Sequence, residues 1–354
     1  MSDSDDHEAP GWEAINQALA PLYASQEPFH YGTVLPAFLG GKDPLQGISA
    51  YRRDEPVPHW HFVTFGFTEL YEKESPYPET NGWGFELTFR LIRGGEEAPP
   101  SWALSFLQNF GRYVFSTGNA FEAGHYLNCN GPIALDCDTA MRAVLFMKDP
   151  ELGEFECAHG KAEFLQIVGI TEDEELAIQR WNSHGIADLL RKSSPLLCTD
   201  LARTSLLHDP GIAAQIDERS KLEGSQTASL YVPGMSFETD LKTESTPRSA
   251  LLRFGARQTE TIGLVLTARL LHGSPFTVVS KDAQLKFVRA DCCGLTCEES
   301  SLRIALTDEA VAELSGKLQP KQMEFELSTF PGLRVSIHKS EIRDQDGNVT
   351  ETIG

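Results

Sequence analysis

The chain has 354 residues, with 30 Lys and Arg against 51 Asp and Glu, a net charge of −21. At roughly 100–200 residues per domain this suggests two domains and allows one large one. A hydrophobic fraction of 41% excludes a disordered chain, no apolar run approaches the roughly 20 residues that cross a bilayer, and the acidic balance argues against direct nucleic-acid binding, which needs a basic surface.

Residues 1–10 are polar and acidic, and we expect a disordered tail. Their opening, MSDSDDHE, lacks the basic-then-apolar order of an export signal, so the expected compartment is the cytoplasm. From Gly11 the pattern turns helical, because Trp12, Ile15, Leu19 and Leu22 recur three or four apart. Gly40-Gly41-Lys42-Asp43-Pro44 reads as a loop. Two strands follow. In 59–67 (HWHFVTFGF), His61, Val63, Phe65 and Phe67 share a face; in 84–92 (GFELTFRLI), Phe85, Leu87, Phe89 and Leu91 share one, with Glu86, Thr88 and Arg90 opposite. The loop residues between them predict an antiparallel pair. Trp102, Phe106, Phe110 and Tyr113 predict a helix over 101–115. Residues 144–147 and 164–170 read as short buried strands, and 172–192 as one helix with acids in its first turn and Arg191-Lys192 in its last.

The pattern resets near residue 226. Residues 1–226 hold 16 basic and 34 acidic side chains, net −18, and 227–354 hold 14 and 17, net −3. We therefore expect domains at 11–226 and 227–343, with 344–354 a flexible tail. The second part predicts strands at 264–271, 285–288, 301–306 and 334–338, and a helix over 308–318 with Thr307 as its N-cap.

Catalytic motifs are scarce. No Walker loop, HExxH, GxSxG or GxGxxG occurs. Seven cysteines, an odd number without a CxxC pair, suit reduced thiols, and Cys292, Cys293 and Cys297 lack the paired spacing of a zinc site. His59 and His61, two apart on a strand, share a face and could hold a metal with a third ligand such as His125. The same face continues as Val63, Phe65 and Phe67, so packed core histidines are the simpler reading. Asp136-Cys137-Asp138 has the form of a phosphoryl-transfer DxD without the lysine and further acids that would hold magnesium. Glu172-Asp173-Glu174-Glu175 is better explained as charge at a helix start. We expect no enzyme, no cofactor and no bound metal.

The strand pair carries a family likeness. His59-Trp60-His61, Phe65-Gly66 and Glu69-Leu70-Tyr71, then Gly84-Phe85-Glu86-Leu87-Thr88-Phe89-Arg90-Leu91, closely resemble the Suppressor of fused family. Arg112-Tyr113-Val114-Phe115, Trp181-Asn182 with Gly185-Ile186, and Arg269-Leu270-Leu271-His272-Gly273 agree, in order, within a likeness running from about residue 11 to 340. The resemblance implies a mixed α/β (α+β) fold of two domains, each a mixed sheet flanked by helices. It implies no catalysis, and an extended partner segment held as an added strand in a cleft between the domains. In animal relatives this holds Gli-type transcription factors inactive in Hedgehog signalling. Tyr113, Phe121 and Leu252 match the aromatic and aliphatic groove positions of the family and are the expected partner-binding residues. The family's acidic groove positions are not kept: they fall at Gly124-His125, Lys148 and Arg248. The long polar insertion of the animal proteins is also missing. A compact, bacterial-type member is implied, whose ligand is not a Gli peptide. The expected partner is another protein, an extended peptide or a basic protein, with no nucleic acid and no membrane. Two alternatives stand beside this one: an immunity protein that neutralises a basic toxin through the −18 first part, and a metal-dependent hydrolase built on His59 and His61.

Overall fold

The computed structural model describes residues 9–23, 25–33, 40–135, 137–240, 247–298, 300–343 and 348–354. Residues 1–8 of the expected acidic tail and Asp136 of the DxD motif lie outside them. The chain divides into two compact units, residues 1–175 with 183–208, and 176–182 with 209–354. The charge change near residue 226 lies inside the second. Both units are mixed α/β, as expected. No helix among the described residues is long and apolar enough to cross a membrane.

The first unit contains α1 (Pro10–Tyr23), β1 (Phe29–Gly32), β2 (Gly47–Arg53), β3 (His59–Phe65), β4 (Thr80–Ile92), α2 (Ser101–Thr117), β5 (Tyr126–Asn128), β6 (Met141–Lys148), β7 (Glu154–Cys157) and β8 (Gly160–Thr171). The strands form one sheet in the order β1-β2-β3-β4-β8-β6-β5, with β7 on β8. The expected antiparallel pair is present, from His59 opposite Ile92 to Val63 opposite Thr88. β4 and β8 run parallel, β6 and β8 antiparallel, so the sheet is mixed. Alternation along β3 serves two cores. Trp60 and Phe62 pack with Phe106, Phe110 and Val114 of α2, while Val63 and Phe65 pack with Ile15, Leu19 and Tyr23 of α1.

That second layer changes the reading of β4. Its period of two is as expected, but the polar face is not solvated: Glu86, Thr88 and Arg90 are all fully buried. Each is instead held by hydrogen bonds, the condition for burying polar groups, and of the three only Arg90 keeps a buried side-chain atom, Nε, without a partner among the described residues. The Glu86 carboxylate accepts from Thr64 Oγ1 at 2.6 Å, from the Gly66 and Thr68 N–H groups at 2.9 and 3.0 Å, and from Thr68 Oγ1 at 2.7 Å. It thereby fixes the turn that follows β3. Burial pushes this carboxyl up to about 6, against hydrogen bonds from Thr64, Thr68 and Gly66 that favour the anion.

The sign follows from which state holds the proton. Between pH 4.5, its ordinary value, and about 6 the unfolded chain has released the Glu86 proton while the folded chain keeps it, so stability from this group falls as pH rises. The neutral isostere Glu86→Gln lacks that term. Relative to the native chain, its unfolding free energy should gain about 2 kcal/mol as the pH is raised through this window. Urea titrations of both proteins at pH 4 and pH 7 check it, and a constant difference between them refutes it.

The expected helix over 172–192 is two helices, α3 (Glu172–Arg180) and α4 (Ser183–Ser193). The break falls at Trp181-Asn182, where the Trp181 carbonyl accepts from the Gln226 N–H at 2.8 Å and its indole N–H donates to Glu223 at 2.7 Å. Tertiary bonds thus replace one turn of the helix ladder, which the sequence pattern does not reveal.

The second unit adds α5 (Pro210–Glu223), β9 (Ser229–Tyr231), β10 (Ser236–Thr239), β11 (Ala250–Gly255), α6 (Ala256–Leu270), β12 (Phe276–Val279), β13 (Gln284–Arg289), β14 (Gly294–Glu298), β15 (Ser301–Leu306), α7 (Asp308–Lys317), β16 (Met323–Glu326), β17 (Leu333–His338), β18 (Ser340–Arg343) and β19 (Val349–Ile353). Two sheets result, ordered β10-β11-β17-β16 and β14-β15-β13-β12-β9, besides the β18-β19 hairpin. Thr307 caps α7 as expected, its Oγ1 accepting from the Ala310 N–H. Residues 264–271, expected as a strand, lie instead in and just beyond α6. Ile262, Val265, Leu266 and Leu270 are fully buried at helical spacing, and a short apolar run alone does not separate the two periods. Residues 349–353, expected within a flexible tail, pair with β18, and Ile353 packs on the unit's core.

Candidate functional site

The expected partner-binding aromatics come together at one end of the first sheet. Trp102, Phe106, Phe110 and Tyr113 recur along α2, and the helix stops at Gly118, which takes φ +76° and donates its N–H to the Val114 carbonyl at 2.9 Å. The chain then turns back, and Phe121 enters between two rings. It stacks on Tyr113 at 5.5 Å and 19°, and on Phe146 of β6 at 4.0 Å and 13°. Phe121 is buried; Tyr113 is half-buried, and its hydroxyl accepts from Asn119 Nδ2 at 3.3 Å. Offset aromatic stacks of this kind add roughly 0.5–1.5 kcal/mol beyond the area they bury, so the Tyr113 ring is held in place while part of its surface stays exposed.

Immediately after Phe121 the chain joins the sheet. Gly124 donates to the Phe146 carbonyl at 2.7 Å, and the Phe146 N–H donates to the His125 carbonyl at 2.8 Å. Gly124 has φ +95°, and a Cβ there would lie 3.0 Å from His184 Cε1. β5 then pairs with β6, Leu127 opposite Val144, and is the last strand of the sheet on this side. Lys148, at the end of β6, is exposed and lies 2.9 Å from Glu163 and 3.5 Å from Glu154, which hold its pKa above the ordinary lysine value, Glu163 most strongly. These carboxylates neutralise a charge that the sequence presents as repulsive to a basic segment.

Leu252 and Arg248 belong to the second unit. Arg248 is exposed, its backbone N–H donating to Asp240 at 3.0 Å. Leu252 has no exposed surface; it lies on β11 between Phe237 and Val335, inside that unit's core.

His59 and His61 are fully buried beside the α1 layer, not arranged around an open site. His59 Nδ1 lies 2.7 Å from the Val57 carbonyl and His61 Nδ1 2.6 Å from the Tyr23 hydroxyl. Burial, then the nearby Arg90 charge, lowers the His61 pKa to about 4, so the ring is neutral near pH 7. His125 adjoins β5, four strand positions from β3, or roughly 19 Å at about 4.8 Å per strand. The three histidines do not converge. No group of three or more His, Cys, Asp or Glu side chains among the described residues could hold a metal ion.

What the sequence reading missed is an ionic network behind β3 and β4. Arg90 donates to Asp149 Oδ1 and to Glu151 Oε2, both at 3.0 Å, and to Gln166. Asp149 also accepts from Thr88 Oγ1 at 2.7 Å, and Arg53 bonds Glu151 at 3.2 Å. Burial alone would raise the Asp149 carboxyl, but His61 and Arg90 beside it more than offset this and hold it far below the usual carboxylate range. The sequence carries only part of the signal: three polar residues alternate on a strand whose other face is wholly apolar, and what covers them lies elsewhere in the chain.

Residues 41–204 match the model of the Suppressor of fused protein family. Over 238 residues the chain is 34% identical to the Suppressor of fused homologs of Homo sapiens and Mus musculus, covering 62% of this chain and 49% of each relative. It thus spans about half the length of the curated relatives it matches. A crystal structure of Drosophila Suppressor of Fused shares the fold, with a TM-score of 0.76 at 22% identity over 93% of this chain and 97% of that one. A crystal structure of a Sufu–Fu complex has a TM-score of 0.55 at 30% identity, over 59% of this chain and 97% of that chain.

Proposed function

Because the chain belongs to the Suppressor of fused family, we propose that it is a non-catalytic protein-binding module that sequesters an extended segment of a partner protein. The observation that carries this reading is the Tyr113–Phe121–Phe146 stack beside the terminal strand β5. A segment laid along a terminal strand gains affinity from backbone hydrogen bonds and selectivity from pockets for alternate side chains. The half-buried Tyr113 ring is such a contact, rigid before the partner arrives and therefore cheap in entropy on binding. The similarity to the Sufu–Fu complex supports a protein as the ligand. Neutral His61, held by Tyr23, and the bonded carboxylates Glu86 and Asp149 serve packing in this reading and perform no chemistry.

The test uses affinity capture from the source cells with the full chain, then titration of the purified partner. A saturable 1:1 complex is expected, weakened about tenfold or more by Tyr113→Ala, a typical loss for an interface aromatic. Circular dichroism confirms the fold of the variant. A complex indifferent to Tyr113→Ala removes the end of this sheet as the binding site.

A further inference from the structure

A groove of about 1340 Å³ opens on the first unit. Phe115 of α2 lines it; Tyr113, two residues earlier at about 100° per residue, points to a different side of that helix. The walls are aromatic. Trp83 and Phe115 meet edge to face at 5.7 Å, Phe115 lies 6.2 Å from Phe67, and Trp12 stacks on Phe65 at 4.5 Å. Tyr71, Tyr77 and Phe115 are 45%, 68% and 46% exposed.

The loop that carries the two tyrosines is built, not slack. The Glu69 carboxylate accepts the Glu74 N–H at 2.8 Å and the Gly82 N–H at 3.2 Å, and lies 3.1 Å from Lys73. Gly82 has φ +57°, and a Cβ there would come 2.5 Å from the Phe67 carbonyl oxygen, so only glycine lets β4 pass this close to the loop.

The charge lining the groove has one sign. Asp43, Glu69, Glu72 and Glu74 line it, and no Lys, Arg or His does so among the described residues. Asp43 pairs with Arg112 and Glu69 with Lys73. Glu72 and Glu74 are exposed and take part in no ion pair among the described residues.

We propose that this groove binds an extended segment of a partner protein in which Arg or Lys side chains alternate with apolar residues. Cationic heads would sit over the faces of Tyr71 and Tyr77 within reach of Glu72 and Glu74, and apolar side chains against Trp83 and Phe115. Aromatic faces attract cations, the more so where water is partly excluded, and a rim of one sign raises the local concentration of the opposite charge. An acidic segment, nucleic acid or an anionic lipid surface would meet only repulsion there. The volume exceeds the roughly 300–1,000 Å³ of ordinary small-molecule pockets, which favours several consecutive residues as the occupant. This site stands independently of the one at β5.

The test is selection of a random peptide library on the immobilised full chain, followed by fluorescence anisotropy with synthetic copies of the selected peptides. The expected selection is enriched in Arg and Lys beside apolar residues. Binding should be saturable, weaken about tenfold or more in the surface variant Glu72→Lys/Glu74→Lys/Tyr77→Ala, and be unchanged in Tyr113→Ala. Selection of no peptide, of acidic or uncharged peptides, or of peptides indifferent to the triple variant overturns the proposal. So does a chain that self-associates in sedimentation and becomes monomeric in the triple variant, which would make the groove an interface between copies. Loss of binding in Tyr113→Ala alone would refer the peptides to the β5 site and count against this one.

Discussion

Asp149→Ala should destabilise the first unit by about 3–5 kcal/mol, the cost of breaking a buried ion pair from one side. The side chain has no exposed surface, and its two oxygens serve Thr88 Oγ1, Arg90 and the N–H groups of Glu151 and Leu152, the last two at 2.9 and 2.8 Å. Its removal leaves the fully buried Arg90 guanidinium with Glu151 and Gln166, and strands the Thr88 hydroxyl. Arg90 cannot escape by losing its proton, since its carboxylate neighbours outweigh burial and raise its pKa above an already high value. Urea unfolding of the full chain, followed by tryptophan fluorescence, measures the loss. The paired change Arg90→Met/Asp149→Leu separates the pair's net worth from the damage of orphaning one charge, and it should restore most of the stability. A single variant as stable as the native chain would show that the network is not closed as described.

The same network sets an acid limit. The Asp149 carboxyl titrates far lower in the folded chain than its ordinary 3.8, so its contribution is complete above that pH and is lost below it. His61 acts in the same direction over a higher window. With a folded value of about 4 against 6.5, the unfolded chain takes up this proton first, and stability falls as the pH drops from 6.5 to 4. Glu86 opposes His61 between about 6 and 4.5, above the range in which Asp149 titrates, which is why its neutral variant is the cleaner probe of that carboxyl.

Why some of this could be read from residues and some could not follows from the range of the interactions. The period of two in β3 and β4 and the spacing of Trp102, Phe106, Phe110 and Tyr113 are local, and they gave the strand pair and α2 directly. The destination of a polar face is not local. Arg90 looks solvated along its own strand and is buried because α1 and the turn at Asp149 close over it. The helix break at Trp181 depends on Gln226 and Glu223, more than 40 residues away. α6 was misread because eight consecutive mostly apolar residues fit a buried strand and a buried helix alike. The stack of Phe121 between Tyr113 and Phe146 needed the turn at Gly118 and the register of β6, and neither is visible without the fold.

Leu252→Ala should cost the second unit about 2–5 kcal/mol through the cavity it leaves. The side chain is wholly buried on β11, paired across to Phe237 and Val335, in one core with Phe254, Val265 and Ile337. A fully enclosed leucine offers a partner no surface in this conformation. It can support binding only by keeping β11 and its sheet in place, and its truncation reaches any ligand through the stability of the unit. Tyr113 differs, because its ring packs on Phe121 and still keeps exposed surface. The two variants therefore separate by measurement: Leu252→Ala should shift the urea midpoint strongly and weaken a partner complex only as far as the unit unfolds, whereas Tyr113→Ala should weaken the complex well beyond its effect on unfolding. Partner titrations well below the unfolding transition distinguish them. If Leu252→Ala left the midpoint unchanged, the burial of this side chain would be wrong, and Leu252 would return as a direct contact.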